Sequence, residues 1–482
     1  MAKSYVWTYI VALLFTVADL SGANFAAVSE QTLVVCGLGL LVLVISLWRL
    51  RLGLPNQSIG WAFLIICFGI GVMTLQLVPL PSSIWSMLPG RSFVDKDLSS
   101  LGMGGSWMPL SLSPYATKQD IIFLLPALAG FFGIISLPQQ NWRILGWIFI
   151  FMAVVSSAVA LTQRFQGENG IFNFYHYHYP NAVVASGFFA NRNFLAAQLY
   201  CTIPFVAAMI LKTFAKTKVL NFILSFLGIV VILIVVAGLG ATGSRMGALL
   251  LVVSLLSLPF LFLSWRSSMG STAVRIPKIG IVAIFVSIII FAQLCLAALQ
   301  RFSQVDLAAD YRGTMLKVSY TTLKAFFPVG SGFGSFVPAY QLFETPDVLK
   351  DFYVNHAHND WIELLIEGGL PIAIVLVCFL CWFFYRLYYI WSNSGVDLLA
   401  KAAGISASLL LIHSMVDYPL RTPGLLTFFG MCCGMMAANA YRTRIKVAGS
   451  TKSPPAKVGR DPVPFTPRPG GFKKQQEIKN DH

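Results

Sequence analysis

Tyr353-Val-Asn-His-Ala-His-Asn-Asp-Trp-Ile-Glu-Leu-Leu-Ile-Glu-Gly-Gly369 runs straight into an apolar stretch over 368–390. The first part gathers two histidines, an aspartate and two glutamates. The second is long enough to cross a bilayer, for which about 20 apolar residues suffice. Ionisable groups at such a boundary are costly to bury, and they mark chemistry or binding. Outward from this stretch the same alternation recurs. Apolar runs lie at about 5–22, 31–48, 59–79, 121–137, 144–162, 193–211, 220–239, 246–264, 279–299, 368–390, 398–416 and 423–441. These runs predict an all-α polytopic membrane protein with about twelve transmembrane helices.

Composition agrees. Of 482 residues, 57% are hydrophobic and 11% charged, against roughly 25% charged in a soluble domain. A β-barrel would show short alternating strands instead. The net charge of +15 has no nucleic-acid motif beside it and follows position. Trp48-Arg-Leu-Arg51, Lys212 to Lys218, Arg266 to Lys278 and the tail 442–482, with ten Lys/Arg against three Asp/Glu, fall on one side. By the positive-inside rule that side is cytoplasmic. An even span count puts both termini there, and the first run, without a small-residue cleavage site, reads as a retained span. The chain divides into a membrane domain, 1–441, and a basic tail, 442–482. The tail is rich in Pro, Lys and Gly and is expected to be disordered. It suits a topology anchor or contact with anionic lipid.

The opposite side holds the longer segments 80–120, 163–192 and 300–367, the last preceding the tenth span. Every histidine except His482 lies there. That side offers no ATP or nucleotide sugar, so a substrate must arrive already activated, for instance on a lipid carrier. The eight cysteines all lie in apolar runs and read as small hydrophobes. Cys378 and Cys381 form a lone CxxC in mid-membrane.

Within 300–367, Ser303 to Phe327 has helical periodicity. Gly330-Ser-Gly-Phe-Gly-Ser335 lacks the lysine and the preceding strand of a phosphate loop and reads as a tight turn. The external arginines are Arg192, Arg245, Arg312 and Arg421. A planar guanidinium that stays charged suits the oxygens of a diphosphate, while an isolated interfacial arginine merely snorkels. His356 and His358, spaced by two, point in different directions, so one is expected to act as a base near neutrality. Asn359 suits a sugar hydroxyl or the backbone. Glu363 and Glu367, one turn apart, suit orienting an imidazole, binding sugar, or placing charge at a helix N-terminus. His356, His358, Asp360 and Glu363 offer metal-ligand atoms but no recognised zinc spacing. His176 and His178 sit in an aromatic loop suited to interface anchoring or sugar stacking. His413 and Asp417, one helical turn apart, are expected to pair on one face.

Three blocks then resemble a known family: Gly243-Ser-Arg245, the arginine at Arg312 in the large external loop, and His358-Asn with Leu-x-x-Glu-x-Gly up to Gly369. Their order and spacing resemble the O-antigen ligase and polymerase superfamily. Gly187-Phe-Phe-Ala-Asn-Arg-Asn193 and His413–Arg421 look like further family segments, so the likeness covers roughly residues 180–425. It implies a multi-span glycosyltransferase of the bacterial inner membrane, without cofactor or metal, working on the periplasmic face. The donor implied is a glycan on undecaprenyl diphosphate. The acceptor implied is a hydroxyl of lipid A-core or of another glycan or protein. Arg245 and Arg312 would hold the diphosphate and His358 would activate the acceptor. Arg192, His356, Asn359, Glu363, Glu367, His413, Asp417 and Arg421 would line the substrate site. Gly369 followed by Pro371 departs from the family's Gly-x-x-Gly run. Within the family the ligase is favoured over a polysaccharide polymerase or a protein O-oligosaccharyltransferase. A flippase would want polar residues at the bilayer midplane and internal repeats, and the sequence shows neither.

Overall fold

A computed structural model describes residues 2–22, 29–51, 57–167, 170, 172, 174, 185–214, 218–268, 307–346, 348, 349 and 354–450. The expected span 279–299 and the loop with His176 and His178 lie outside the described residues. The rest is mostly helical. Among the described residues eight helices are long and apolar enough to cross a membrane, and three shorter apolar helices accompany them. The chain is a multi-pass membrane protein.

In chain order the first helices are α1 (Ala2–Ser21), α2 (Glu30–Arg49) and α3 (Gln57–Leu75). Ser29 caps α2 by accepting a hydrogen bond from Thr32 N, a common way to satisfy the orphan amides of a first turn. The connection after α3 forms a small layer of its own: β1 (Pro79–Leu80), α4 (Ser82–Trp85), α5 (Ser92–Ser100) and β2 (Met108–Pro109), the two strands antiparallel. The run expected at 121–137 is two helices, α6 (Pro114–Phe123) and α7 (Leu125–Ser136). Pro126 near the start of α7 lacks the N–H that would carry the ladder across Leu124.

The core is built around α9 (Arg192–Thr213), the most enclosed of the eight long helices. It packs against α8 (Trp142–Gln166), α10 (Lys218–Thr242), α11 (Arg245–Ser268) and α15 (Leu398–His413). Membrane helices approach closely through small residues, and Gly430 of α16 (Pro423–Ser450) follows this rule: a Cβ there would lie 2.2 Å from the carbonyl oxygen of Ala127. One compact unit spans Met1–Tyr441 and a second Arg442–His482.

Outside the spans sit α12 (Leu307–Phe326) and α13 (Phe336–Gln341). The expected span 368–390 belongs to a longer helix, α14 (Asp360–Ser392), kinked where Gly369 takes φ 57°, ψ −147°. The glycine turn expected at 330–335 wedges against that kink. Leu370 N donates to Pro328 O at 2.7 Å, and Ser331 N to Ile366 O at 2.8 Å. A Cβ on Gly369 would meet Pro328 O at 2.2 Å, and one on Gly330 would meet Glu367 O at 2.5 Å. Gly369 is thus fixed by both its dihedrals and its neighbours.

Candidate active site

The site begins with a strained residue. His358 is the one non-glycine residue with positive φ among the described residues, at 49°. A side chain in this region costs of order 1–3 kcal/mol and persists where surroundings over-determine it. Here they do. Asn359 caps α14, its Oδ1 accepting from Ile362 N at 3.2 Å. Asp360 N donates to Ser414 O at 2.9 Å, tying the start of α14 to the end of α15. The bend turns the His358 imidazole onto Asp417, with Nδ1 and Oδ1 at 3.2 Å.

Asp417 is a buried hub. Asn193 Nδ2 donates to its Oδ2, Tyr418 N donates to Oδ1 at 3.0 Å, and Arg312 Nη2 lies 3.8 Å from Oδ2. Burial alone would raise this carboxyl. The hydrogen bond from His358 and the charges of His358, His413 and Arg312 outweigh it and hold the group down at about 2. An ionised carboxylate only accepts, so the hydrogen of neutral His358 sits on Nδ1 and Nε2 keeps a bare lone pair. The imidazole is partly open, its side chain 24% exposed. A carboxylate-oriented imidazole with a free nitrogen is the arrangement of a general base.

A second pair lies behind it. His356 Nδ1 and Glu363 Oε1 are 2.8 Å apart, and Glu363 Oε2 accepts from Ala357 N at 2.8 Å. The Tyr418 ring stands between the two imidazoles, with centroids 4.4 Å from His356 and 4.9 Å from His358. Burial raises the pKa of the Tyr418 hydroxyl, and Asn355 and Asn191 beside it oppose the rise. Beneath this layer Arg421 reaches Asp360 Oδ1 at 3.5 Å, Glu363 Oε1 at 3.2 Å and Glu367 Oε2 at 3.4 Å. Burial opposes its charge, but these carboxylates and Asp120 hold the guanidinium protonated well above its usual value. Glu367 also accepts from Gly334 N at 2.9 Å and Phe336 N at 3.3 Å, so it clamps the glycine turn and α13 onto α14.

The structure therefore sorts the sequence-predicted residues. His358, Asp417 and Arg312 meet. His356 and Glu363 meet one ring away. Asn359 serves the backbone, as a cap. Glu367 and Arg421, expected to line the substrate site, are committed to each other and to packing. The expected pairing of His413 with Asp417 is replaced. Both sit at the helix end, but the His413 ring turns inward, with Nδ1 2.8 Å from Tyr200 Oη, and only its carbonyl meets Asp417, accepting from the Asp417 N–H at 3.0 Å. Tyr200 supplies a neutral partner inside the bundle, and Asp417 is left for His358.

Arg245 opens α11 after a turn in which Gly243 has φ 63° and Ser244 Oγ accepts from Gly247 N at 3.0 Å. A Cβ on Gly247 would lie 2.5 Å from Ala196 Cβ, in the first turns of α9. That apposition places Arg245 at the same end of the bundle as Arg192 and Asn193, hence as Asp417. Arg192 itself is exposed beside this layer. The other end carries Lys212 paired with Asp397, and Lys401 bonded to Ser264 Oγ at 2.6 Å.

Tyr418, Asn193 and Asp120 are residues the sequence reading missed. Asn193 and Tyr418 stand inside motifs already singled out, and Asp120 is a lone acid at the head of an apolar run, itself a signal. Among the described residues no three His, Cys, Asp or Glu side chains converge as a metal site.

Residues 229–377 match the O-Antigen ligase family. The matched segment contains Arg245, Arg312, His356, His358, Asn359, Glu363 and Glu367, and ends before His413, Asp417 and Arg421. No curated protein matches the chain.

Proposed function

We propose that this chain, which carries an O-antigen ligase domain at residues 229–377, transfers a glycan from undecaprenyl diphosphate to a hydroxyl of lipid A-core. On this reading it is a lipopolysaccharide O-antigen ligase of the bacterial inner membrane. Residues 1–441 form the enzyme and 442–482 a cytoplasmic tail, with both termini cytoplasmic and the site facing the periplasm. The observation that carries the reading is the meeting of His358, Asp417 and Arg312.

The acceptor hydroxyl lies against His358 Nε2 and gives up its proton there as its oxygen attacks the anomeric carbon. Asp417 holds the ring in place and stabilises the imidazolium that forms. The bond from the anomeric carbon to the diphosphate oxygen breaks, and the lipid diphosphate leaves with the electron pair. Arg245 and Arg312 take up the charge that grows on it, so the reading assigns no step to a metal. Attack from the face opposite the leaving group inverts the anomeric centre. Holding both substrates at the membrane boundary supplies the orientation.

The test is transfer by the purified protein from a polyprenyl-diphosphate glycan to lipid A-core, to a second glycan and to a protein acceptor, with chelator present and absent. Transfer to lipid A-core, with inverted linkage and no dependence on chelator, is the expected result. Chain growth on a second glycan would make the protein a polymerase instead. Glycan movement across a bilayer without any new glycosidic bond would replace the enzyme with a flippase.

A further inference from the structure

Helix α12 has two unlike faces. Met315, Val318 and Phe326 are buried. They pack on Phe336, Tyr340, Val354 and Ile366 and, through Phe326, on Gly90 and Arg91 of the small layer after α3. Ile366 precedes the kink at Gly369. The helix itself is not among those long and apolar enough to cross a membrane.

Among the described residues, the other face packs on no other element apart from its first residue. Arg312, Leu316, Lys317, Tyr320, Lys324 and Phe327 are exposed. Arg312, Leu316, Tyr320 and Lys324 recur every four residues, which places them in one stripe, with Lys317 beside Leu316 and Phe327 just past the end of the helix. Arg312 heads the stripe inside the reaction site, beside Asp417. Lys324 Nζ lies 4.8 Å from the centre of the Tyr320 ring, a cation–π contact that holds a charge and a ring side by side. Among the residues of this helix described as exposed, none is acidic. Among the described residues, Lys317 and Lys324 form no ion pair, and Lys324 stands beside a ring.

We infer that this stripe is a docking track for an anionic acceptor saccharide, one bearing phosphate or carboxylate groups. The inference rests on the proposed function for its direction. The donor's charge is met at Arg245 and Arg312, while the acceptor must approach His358 from outside the bundle, where the stripe leads. Lys317 and Lys324 pair with the anionic substituents. Tyr320 and Phe327 offer flat apolar surfaces to sugar rings. Surface charges of this kind raise encounter and set register more than they add affinity.

The experiment uses full-length protein in nanodiscs and two probes, a phosphorylated hexose oligosaccharide and the same saccharide after phosphatase treatment. Wild type should bind the phosphorylated probe more tightly, and the preference should fall as salt rises. The double variant Lys317→Gln/Lys324→Gln should lose roughly tenfold for the phosphorylated probe, about one kcal/mol or less per exposed ion pair, with the other probe unchanged. Lys96→Gln, on exposed α5, should leave both as they were. Equal affinity of wild type for the two probes, or equal weakening of both in the double variant, would overturn the track. A second readout separates it from the outer leaflet. Lys324→Cys should react with a sulfonated maleimide in nanodiscs, over the rate of the unsubstituted protein, and the phosphorylated probe should slow the reaction. Labelling in detergent but not in nanodiscs would mean that lipid covers the stripe, which also overturns it. Because binding is measured without donor, failure of the transfer reaction leaves these outcomes readable.

Discussion

Two histidine–carboxylate pairs sit back to back across the Tyr418 ring, and they differ in what lies beyond them. Behind His358 stands Asp417, whose remaining partners are an amide, a backbone N–H and the exposed Arg312. Behind His356 stands Glu363, locked to Ala357 N and to Arg421, which is itself held by Asp360 and Glu367. The first pair opens outward and its cation is exposed. The second closes inward and its cation is shared among carboxylates. An imidazole serves as a base when it has a fixed orientation and a reachable nitrogen. Both pairs have the first property, but His356 Nε2 is buried without a partner, whereas His358 is partly open.

The sharpest way to break this contrast is to remove each ring in turn. His358→Ala should lower transfer by about 10²–10⁴-fold, the usual span for a lost general base, while the protein still accumulates in the membrane. His356→Ala should cost transfer less than about tenfold and act on stability, by about 1–3 kcal/mol for a buried partner left unsatisfied. Measured turnover and thermal unfolding of both variants decide the matter, and equal loss of turnover would erase the distinction.

Arg421 sharpens the contrast from the closed side. Arg421→Gln strands buried carboxylates, and breaking a buried ion cluster by removing one partner costs about 3–5 kcal/mol. The expected result is poor accumulation and a lowered unfolding temperature. Arg312→Gln, on the open side, should leave unfolding within about 0.5 kcal/mol of wild type, as an exposed substitution does, and should lower turnover instead.

Much of this was legible beforehand. The apolar runs mark the membrane helices because their period and length are local properties of the chain. His358 and Arg312 could be singled out because polar groups at such boundaries are costly. What the sequence left undetermined was partnership. His413 and Asp417 lie one turn apart, and local spacing argues for a pair. The decision belongs to Tyr200, 213 residues earlier in the chain, which takes the ring and frees the carboxylate. Likewise Arg421 reads as one more phosphate-binding guanidinium until Asp360, Glu363 and Glu367 close around it. The departure at Gly369 and Pro371 was visible, but the kink it makes was not. Its purpose, seating the glycine turn, needed the contact with Pro328.

The smallest predicted effect concerns Asp417 and acid. Its folded pKa, about 2, lies below the 3.8 usual for an aspartate. The ionised form therefore stabilises the fold above pH about 4, and that contribution disappears as pH falls through about 2. A shift of this size corresponds to roughly 2 kcal/mol. Other carboxylates titrate in the same range, so the informative quantity is a difference. Stability of wild type and of Asp417→Asn should differ most near pH 6 and converge as pH approaches 2. The variant keeps the shape of the hub and can still accept from His358 Nδ1, but it offers no charge to stabilise an imidazolium, so its turnover should drop while its KM moves little. Convergence in acid together with lost turnover at neutral pH is what an open, charge-bearing pair requires. Parallel stability curves from pH 6 to pH 2 would instead mean that Asp417 is no more committed to its ionised form than a carboxylate on the surface, and the difference between the two histidines would reduce to exposure alone.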